Sequence, residues 1–414
     1  MNSVKNTDVV ILGGGAAGVA AAVAAARKGS KVALIERNAY LGGKATAAEV
    51  GTVCGLYKFS KTEISDYIVK GFAKEFADTL QQASGSKPLH SSEALHYLPY
   101  DIEAFKRTCL QLLNEHKVDV HFNTVMNDIK MEGDAIKSVI ITAGDSSTEL
   151  CFKSIIDCSG DSIISQLANL PLLRSEQYQA AAQVFTMQGV EETNEARLGM
   201  ILMKALRSAI DEKKLPDFHD RVYIVQGSLK NNTVSLKVGI PVVVSYESGN
   251  MESLKESAHS FVHTLAGFLC NHVPAFKNAS IQHIAAEPGI RVGMRTTGHY
   301  ILTEADVLSC KKFGDAIANG SWPIEEWEQH KRVNMRYFSL DDFYQVPAGC
   351  LRSKFIQNLF MAGRNISATN GAIASARVMG TCLQTGYAAG SLAAAAITGM
   401  SVSEAIKSIQ NEQL

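Results

Sequence analysis

The chain has 414 residues, 46% apolar and 20% charged, a length that sets the expectation at two or three domains with a large core. Glycine numbers 32 and proline only 9, which excludes collagen-like and proline-rich disordered classes. Forty basic against 41 acidic side chains leave a net charge of −1, without the electrostatic footprint of a nucleic-acid or anionic-membrane partner.

Eight cysteines stand at 54, 109, 151, 158, 270, 310, 350 and 382. None forms a Cys-x-x-Cys pair, and the spacing fits neither a zinc framework nor a disulfide scaffold, so reduced thiols in a reducing compartment are expected. Val9 to Ala26 carries no polar residue and invites a signal peptide or membrane span. Three consecutive glycines inside it, Asp8 just ahead and Lys5 as the one basic residue before it argue otherwise. A cytoplasmic protein is expected.

Asp8 to Leu12 is a short β-branched run of the kind buried parallel strands use. Gly13-Gly14-Gly15-Ala16-Ala17-Gly18 follows at once, then an alanine-rich helix predicted to reach Lys28 and stop at Gly29. Lys31 to Ile35 is a second strand ending in Glu36, 18 residues beyond Gly18. In this Gly-x-Gly-x-x-Gly arrangement Gly13 permits the tight strand-to-helix turn and Gly15 admits a pyrophosphate to backbone N–H groups. Gly18 lets the helix lie close on the strand. Glu36 is placed to accept a hydrogen bond from a ribose hydroxyl. The pattern predicts dinucleotide binding.

A nicotinamide domain usually continues here into another βαβ unit. This chain has instead a second glycine-rich loop, Tyr40-Leu41-Gly42-Gly43-Lys44-Ala45-Thr46, able to wrap a longer cofactor. The apolar period of Ile64 to Leu80 predicts a helix in an excursion from the cofactor-binding part. Asp101 is set to cap a helix reaching about His116. Strands are predicted near Val118–Lys130, Ile136–Thr142 and Glu149–Ile156, with Gly133-Asp134 and Gly144-Asp145 turning between them. Ser154 to Asp161 is a second glycine-bearing strand end.

From Leu170 to about Ala348 the pattern is mixed, with strands at Val222–Val225 and Val234–Tyr246 and an amphipathic helix at Met251–Cys270. That helix carries His259 and His263 one turn apart, near Cys270 and His272. Apolar Leu254, Ala258, Phe261, Leu265 and Phe268 take the opposite face, and no third ligand is evident, so no metal site is expected. In Gly289 to Asp306, Ile290, Val292 and Met294 alternate with Arg291, Gly293 and Arg295, a period of two that puts both arginines on one strand face. Asn358 to Arg364 is a third glycine-bearing strand end, followed by one long small-residue helix from about Ala372 to Ile397.

Together these anchors resemble the FAD-dependent oxidoreductase family, flavoproteins of the glutathione reductase and fumarate reductase superfamily. The motifs are the opening fingerprint with Glu36-Arg37, Leu41-Gly42-Gly43-x-Ala45-Thr46, Asp157-x-Ser159-Gly160-Asp161 and Gly289-Ile290-Arg291. At the C-terminal end they are Ala362-Gly363-Arg364-x-Ile366-Ser367-Ala368-Thr369 and Ser375-x-Arg377-Val378-Met379. The resemblance implies an α/β chain: a Rossmann-like FAD-binding domain of parallel sheet and β-meander with a mixed α+β substrate domain. The FAD-binding domain would comprise 1–169, with a helical excursion at about 56–98, and 349–414. The substrate domain would comprise 170–348, with about 285–306 lining the active site.

The resemblance also implies noncovalent FAD, with Gly13, Gly15, Ala16, Ala17 and Gly18 at the opening turn and Glu36 and Arg37 at the adenosine ribose. Gly42, Gly43, Lys44, Ala45 and Thr46 would lie beside the phosphates and flavin, and Val125 where backbone groups meet the adenine. Ser159, Gly160, Gly363, Arg364 and Ala372 would complete the cofactor site. A helix N-terminus after Gly363 would stabilise negative charge on reduced flavin. Arg291 and Arg295 match family arginines and would clamp a substrate carboxylate, with His299 as acid or base. Thr296 and His299 depart from the family pattern, as does Ala348-Gly349 after Tyr344-x-Val346-Pro347.

The expected function is a dehydrogenase or oxidase moving a hydride from a small organic, carboxylate-bearing substrate to flavin. A flavin monooxygenase or halogenase is the alternative, and a non-catalytic flavin-binding protein the second. Cys54, close after the flavin loop, reads as a small structural residue rather than a thiolate, since no second cysteine stands nearby. One Gly-x-Gly-x-x-Gly in strand–helix context predicts no separate NAD(P)H domain. The expected partner is a small-molecule substrate, with no nucleic acid and no membrane; the electron acceptor and an assembly of copies stay open.

Overall fold

The structure is a computed structural model that describes residues 3–247, 249–328 and 333–414, the side chains of 3, 218 and 219 apart. Its centre is a five-stranded sheet formed by β1 (Val9–Leu12), β2 (Val32–Ile35), β3 (Asp119–His121), β4 (Ser154–Asp157) and β5 (Leu359–Met361). The strands run in parallel in the order β5-β4-β1-β2-β3. β1 is buried along its whole length, as is β4, which is why they read as continuous apolar runs rather than alternating ones. Leu12 pairs with both Ile35 and Asp157, so the three strand ends that carry the sequence signals finish side by side.

Helix α1 (Ala16–Arg27) follows β1, and α2 (Met379–Thr398) packs against it. Small residues set how close the two come. A Cβ on Gly386 would stand 2.1 Å from the carbonyl oxygen of Ala17, and one on Gly390 2.2 Å from that of Ala21. Both helices are buried almost throughout because each is covered on every side. Among the described residues no helix is long and apolar enough to cross a membrane.

A second sheet joins Ser3–Asn6, Ser146–Cys151, Ala135–Ala143 and Val125–Glu132 in that order. Two runs read as single strands are therefore divided between sheets. Val118–Lys130 breaks at 122–124, where Asn123 takes a left-handed φ of 49°, and Glu149–Ile156 breaks at Phe152 and Lys153. The helix expected from Ile64 begins only at Gly71 and runs to Ser84. The residues before it lie in bends and an isolated bridge of Tyr67 with Tyr57, with the Ile68 N–H on the Leu56 carbonyl at 2.9 Å. Asp101 caps Ile102–Glu115 as expected, its Oδ1 accepting the Ala104 N–H at 2.9 Å.

A separate apolar core lies under an antiparallel sheet of Val222–Ile224, Thr233–Gly239, Ala182–Gln188 and Ser280–Ile284, in that order. Helices Glu195–Asp211 and Asn250–His272 cover it with Leu198, Leu202, Leu206, Val262, Leu265 and Leu269. The strand expected to reach Tyr246 ends at Gly239, two residues before Pro241, which cannot donate to a ladder. His259 and His263 are exposed on the outer face of their helix.

The helix expected from Ala372 to Ile397 is two helices, Asn370–Ala376 and α2, with Val378 extended between them (φ −67°, ψ 151°). The break seats Gly380 on the chain at Gly55, whose carbonyl oxygen would lie 2.3 Å from a Cβ there.

Candidate functional site

β1 is followed in the sheet by β2 on one side and β4 on the other, and the crevice between such neighbours, at the carboxyl ends of the strands, is where α/β sheets bind ligands. A cavity of about 350 Å³ opens there, beginning at Leu12, Ile35 and Cys158. The turn out of β1 needs glycine: Gly13 has φ +99°, and a Cβ on it would stand 2.6 Å from the Cys158 carbonyl oxygen. Gly18 is enclosed in the same way, with Gly13 O at 1.8 Å from its ideal Cβ. Gly15 is different. Its backbone is ordinary (φ −73°), and its Cβ position meets nothing nearer than Gly43 Cα at 3.7 Å. That vacancy faces the cavity, where the first N–H groups of α1 converge.

Glu36 ends β2 and lines the cavity, buried, with its carboxylate accepting the N–H groups of Gly14 and Asn38, each at 2.8 Å. Burial raises its pKa from the ordinary value, and the hydrogen bonds from Asn38 and Gly14 oppose that rise. Val125, about half exposed, stands beside Met126 at this end of the cavity. The second glycine loop crosses over α1, with the Gly42 N–H on the Gly14 carbonyl at 2.9 Å. Lys44, from this loop, and Arg37 both grip Glu287, at 2.6 and 2.7 Å. Burial favours a protonated Glu287, but Lys44 and then Arg37 overcome it and hold the carboxyl below its ordinary range.

On the far wall Asp157 fixes the turn out of β4. Its Oδ1 accepts the Ser159 N–H at 3.0 Å and hydroxyl at 2.6 Å, and its Oδ2 the Ile164 N–H at 2.9 Å. Ser159, Gly160 and Asp161 thereby face the cavity with Gly363 and Arg364. Arg364 donates to the Ile290 carbonyl and lies 3.8 Å from Asp161. The cavity ends at Arg377, Met379 and Cys382, where the N-terminus of α2 points into it. Burial pushes the Cys382 thiol up to about 12, so it stays neutral.

Gly13, Gly15, Ala16, Ala17, Glu36, Arg37, Gly42 to Ala45, Val125, Ser159, Gly160, Gly363 and Arg364 thus line one cavity. Three expected cofactor residues do not. Gly18 packs helix on strand, and Thr46 lies behind the loop with its hydroxyl on the Leu41 carbonyl at 2.7 Å. Ala372 is buried in the short helix before α2. The helix end that meets the cavity is the one at Met379, because the chain breaks at Val378. Glu287 and Cys382 were not expected at the cofactor, and Met379 only closed a family motif; the fold carries all three to the cavity.

The expected substrate constellation does not assemble. Only Arg295 and Thr296 form a strand, paired with Leu172–Leu173, and both faces of this stretch are buried, so alternation did not mark a free face. Arg295, 2% exposed, donates to the carbonyls of Ala368 and Gly293 and to Asn370 Oδ1, each at 2.9 Å. Nothing in that geometry leaves it free to clamp a substrate with Arg291. Arg291 instead donates to the Ala180 carbonyl and stacks over the Trp327 ring at 3.9 Å. His299 is exposed, outside the cavity lining, with its N–H on the Arg352 carbonyl at 3.2 Å. Desolvation, Arg352 and Lys354 all lower its pKa and so favour the neutral imidazole. Cys54 also lies outside the lining, and burial pushes its thiol up to about 12; it is no thiolate. All eight cysteines are free.

The profile of a family described as FAD dependent oxidoreductase matches residues 8–412. No curated protein matches the chain in sequence. Solved structures share its fold at low identity. One is a protein described in structural and functional studies of BexE, on oxidation during BE-7585A biosynthesis. It is 13% identical over 98% of this chain and 66% of its own, with a TM-score of 0.53. OxyS anhydrotetracycline hydroxylase from Streptomyces rimosus is 11% identical over 99% of this chain and 66% of its own, with a TM-score of 0.52.

Proposed function

The chain belongs to the FAD-dependent oxidoreductase family, and from that premise we propose that it is a dehydrogenase or oxidase of a small carboxylate-bearing organic molecule. It is an enzyme, and FAD is its cofactor. The vacancy at Gly15, open to the cavity while its neighbours Gly13 and Gly18 are closed off by backbone, is the observation that carries the cofactor site. A dinucleotide fits it: converging N–H groups meet phosphate charge, and a buried carboxylate at Glu36 has lone pairs for ribose hydroxyls.

We read residues 1–169 and 349–414 as a Rossmann-like FAD-binding domain and 170–348 as the substrate domain. The order of the parallel sheet supports the first, and the separate core under the antiparallel sheet supports the second. Arg37 and Lys44, gripping Glu287, hold the second glycine loop against the 285–291 segment and shut water from one side of the cavity. Bound flavin supplies a hydride acceptor. The N–H groups at Met379 and Gly380 would oppose negative charge at that end of the site. Free thiols throughout support a reducing, cytoplasmic setting.

Purified protein should be yellow, hold one FAD per chain and release it on denaturation. Anaerobic mixing with a panel of organic acids should bleach the flavin. The hydroxylases that share this fold make oxygen activation the second reading. Fast, saturable bleaching by NADPH with no organic acid present would favour it over ours.

A further inference from the structure

Past Arg377, the residue at the end of the cofactor cavity, three cations gather around one carboxylate. Arg377 Nη2 lies 3.6 Å from Glu325 Oε2 and donates to the Glu325 carbonyl at 3.3 Å. Its Nε is buried without a hydrogen-bond partner. Arg291 stacks on Trp327 and donates to one carbonyl. Lys237, from the antiparallel sheet, holds its ammonium 5.0 Å from the centre of the same ring. Among the described residues neither Arg291 nor Lys237 has a carboxylate within 4.0 Å.

Glu325 cannot serve all three. Its Oε1 accepts the Trp327 indole N–H at 2.7 Å and its Oε2 that of Trp322 at 3.0 Å, so two indoles pin the carboxylate in place. The cluster therefore carries two positive charges in excess of its counter-charge. Lys237, Arg291, Glu325 and Arg377 are all partly buried, the Arg377 and Glu325 side chains being 13% and 20% exposed. Burial, then the charge of Arg291, pushes the Lys237 ammonium down to about 8. Burial would raise the Glu325 carboxyl, but Arg377, Lys237 and Arg291 hold it below its ordinary range. Uncompensated buried charge is costly, and an anion held among these cations would offset it.

We propose that Lys237, Arg291 and Arg377 form the substrate site and that it receives the carboxylate of a small organic acid at the flavin end of the cofactor cavity. The site replaces the pairing of Arg291 with Arg295 and rests on reading the neighbouring cavity as the flavin's. Arg291 offers planar paired donors to a carboxylate and Lys237 a point charge. Arg377 belongs to both sites and joins them.

The test is binding, read from the flavin's visible spectrum and from melting temperature, with acetate, malonate and succinate as probes and succinamide as the neutral control. FAD content is measured first. Wild-type protein without FAD would sink the reading of the cavity and leave the anion site to be judged by melting alone. We expect at least one of the carboxylates to bind and succinamide not to. Lys237→Met and Arg291→Met should each weaken that binding at least tenfold at unchanged FAD content, while Lys237→Arg should largely keep it. Failure of all three acids to bind, equal binding of succinamide, or unaltered affinity in both Met variants would overturn the proposal.

Discussion

Gly15 and Gly18 stand three residues apart and respond differently to enlargement. Gly15→Val projects into the cavity from a backbone any residue adopts, so FAD content should fall to about a tenth or less while the apoprotein melts near the wild-type temperature. Gly18→Ala drives a methyl into the Gly13 carbonyl and should cost about 1–3 kcal/mol of stability, seen as an early urea transition. Lys237 carries a pH signature. Its ammonium titrates near 8 when folded and 10.5 when unfolded. Between those values the unfolded chain holds this proton and the folded chain does not, so the Lys237 contribution to stability grows as pH rises from about 8 to 10.5. The gain from this group is on the order of 3 kcal/mol. Cys54, pushed up to about 12 when folded but ionising near 9 when unfolded, works in the opposite direction in this window. The melting temperature of wild type relative to Lys237→Met should rise across this window; a constant difference would show that Lys237 is not the group responsible. Gly15 and Glu36 were legible because 28 consecutive residues, Val9 to Glu36, hold the whole phosphate-and-ribose chemistry. Arg295 was not, since a period of two finds the faces of a strand but not that both are covered.

At the scale of elements, single side chains fix ends and joints. Asp101→Ala removes the one side-chain cap of Ile102–Glu115 and should cost about 1 kcal/mol in chemical denaturation. Glu287 joins the second glycine loop to the segment before Arg291. Glu287→Gln leaves Lys44 without its carboxylate and should lower apoprotein stability by about 1–2 kcal/mol, most at low salt. Caps and glycine stops announce themselves locally, which is why Ile102–Glu115 and α1 were read nearly to the residue. The division of 118–130 and 149–156 between two sheets was not, because residues of one apolar run can serve either sheet. Nor was the break at Val378, which answers to the backbone at Gly55 and has no breaker residue of its own.

For the whole molecule, FAD held by groups from both ends of the chain should act as a staple. At a hundred times its dissociation constant it should stabilise the fold by about 2.7 kcal/mol, measurable as a rise in melting temperature that grows with added FAD. The cofactor motifs were visible because each is contiguous. The cation cluster draws on residues 237, 291, 325 and 377, whose neighbours in sequence say nothing about one another, and only folding introduces them. The pairing of α1 with α2 through Gly386 and Gly390 also sets a timetable. During synthesis the first helix leaves the ribosome some 350 residues before the second one that covers it. Until then one apolar face of this alanine- and valine-rich helix stays uncovered, and β4 lacks its neighbour β5. A nascent chain stopped before Leu359 should therefore hold no FAD and should bind hydrophobic dyes and chaperones, and the cofactor can enter only once β5 and α2 have been made.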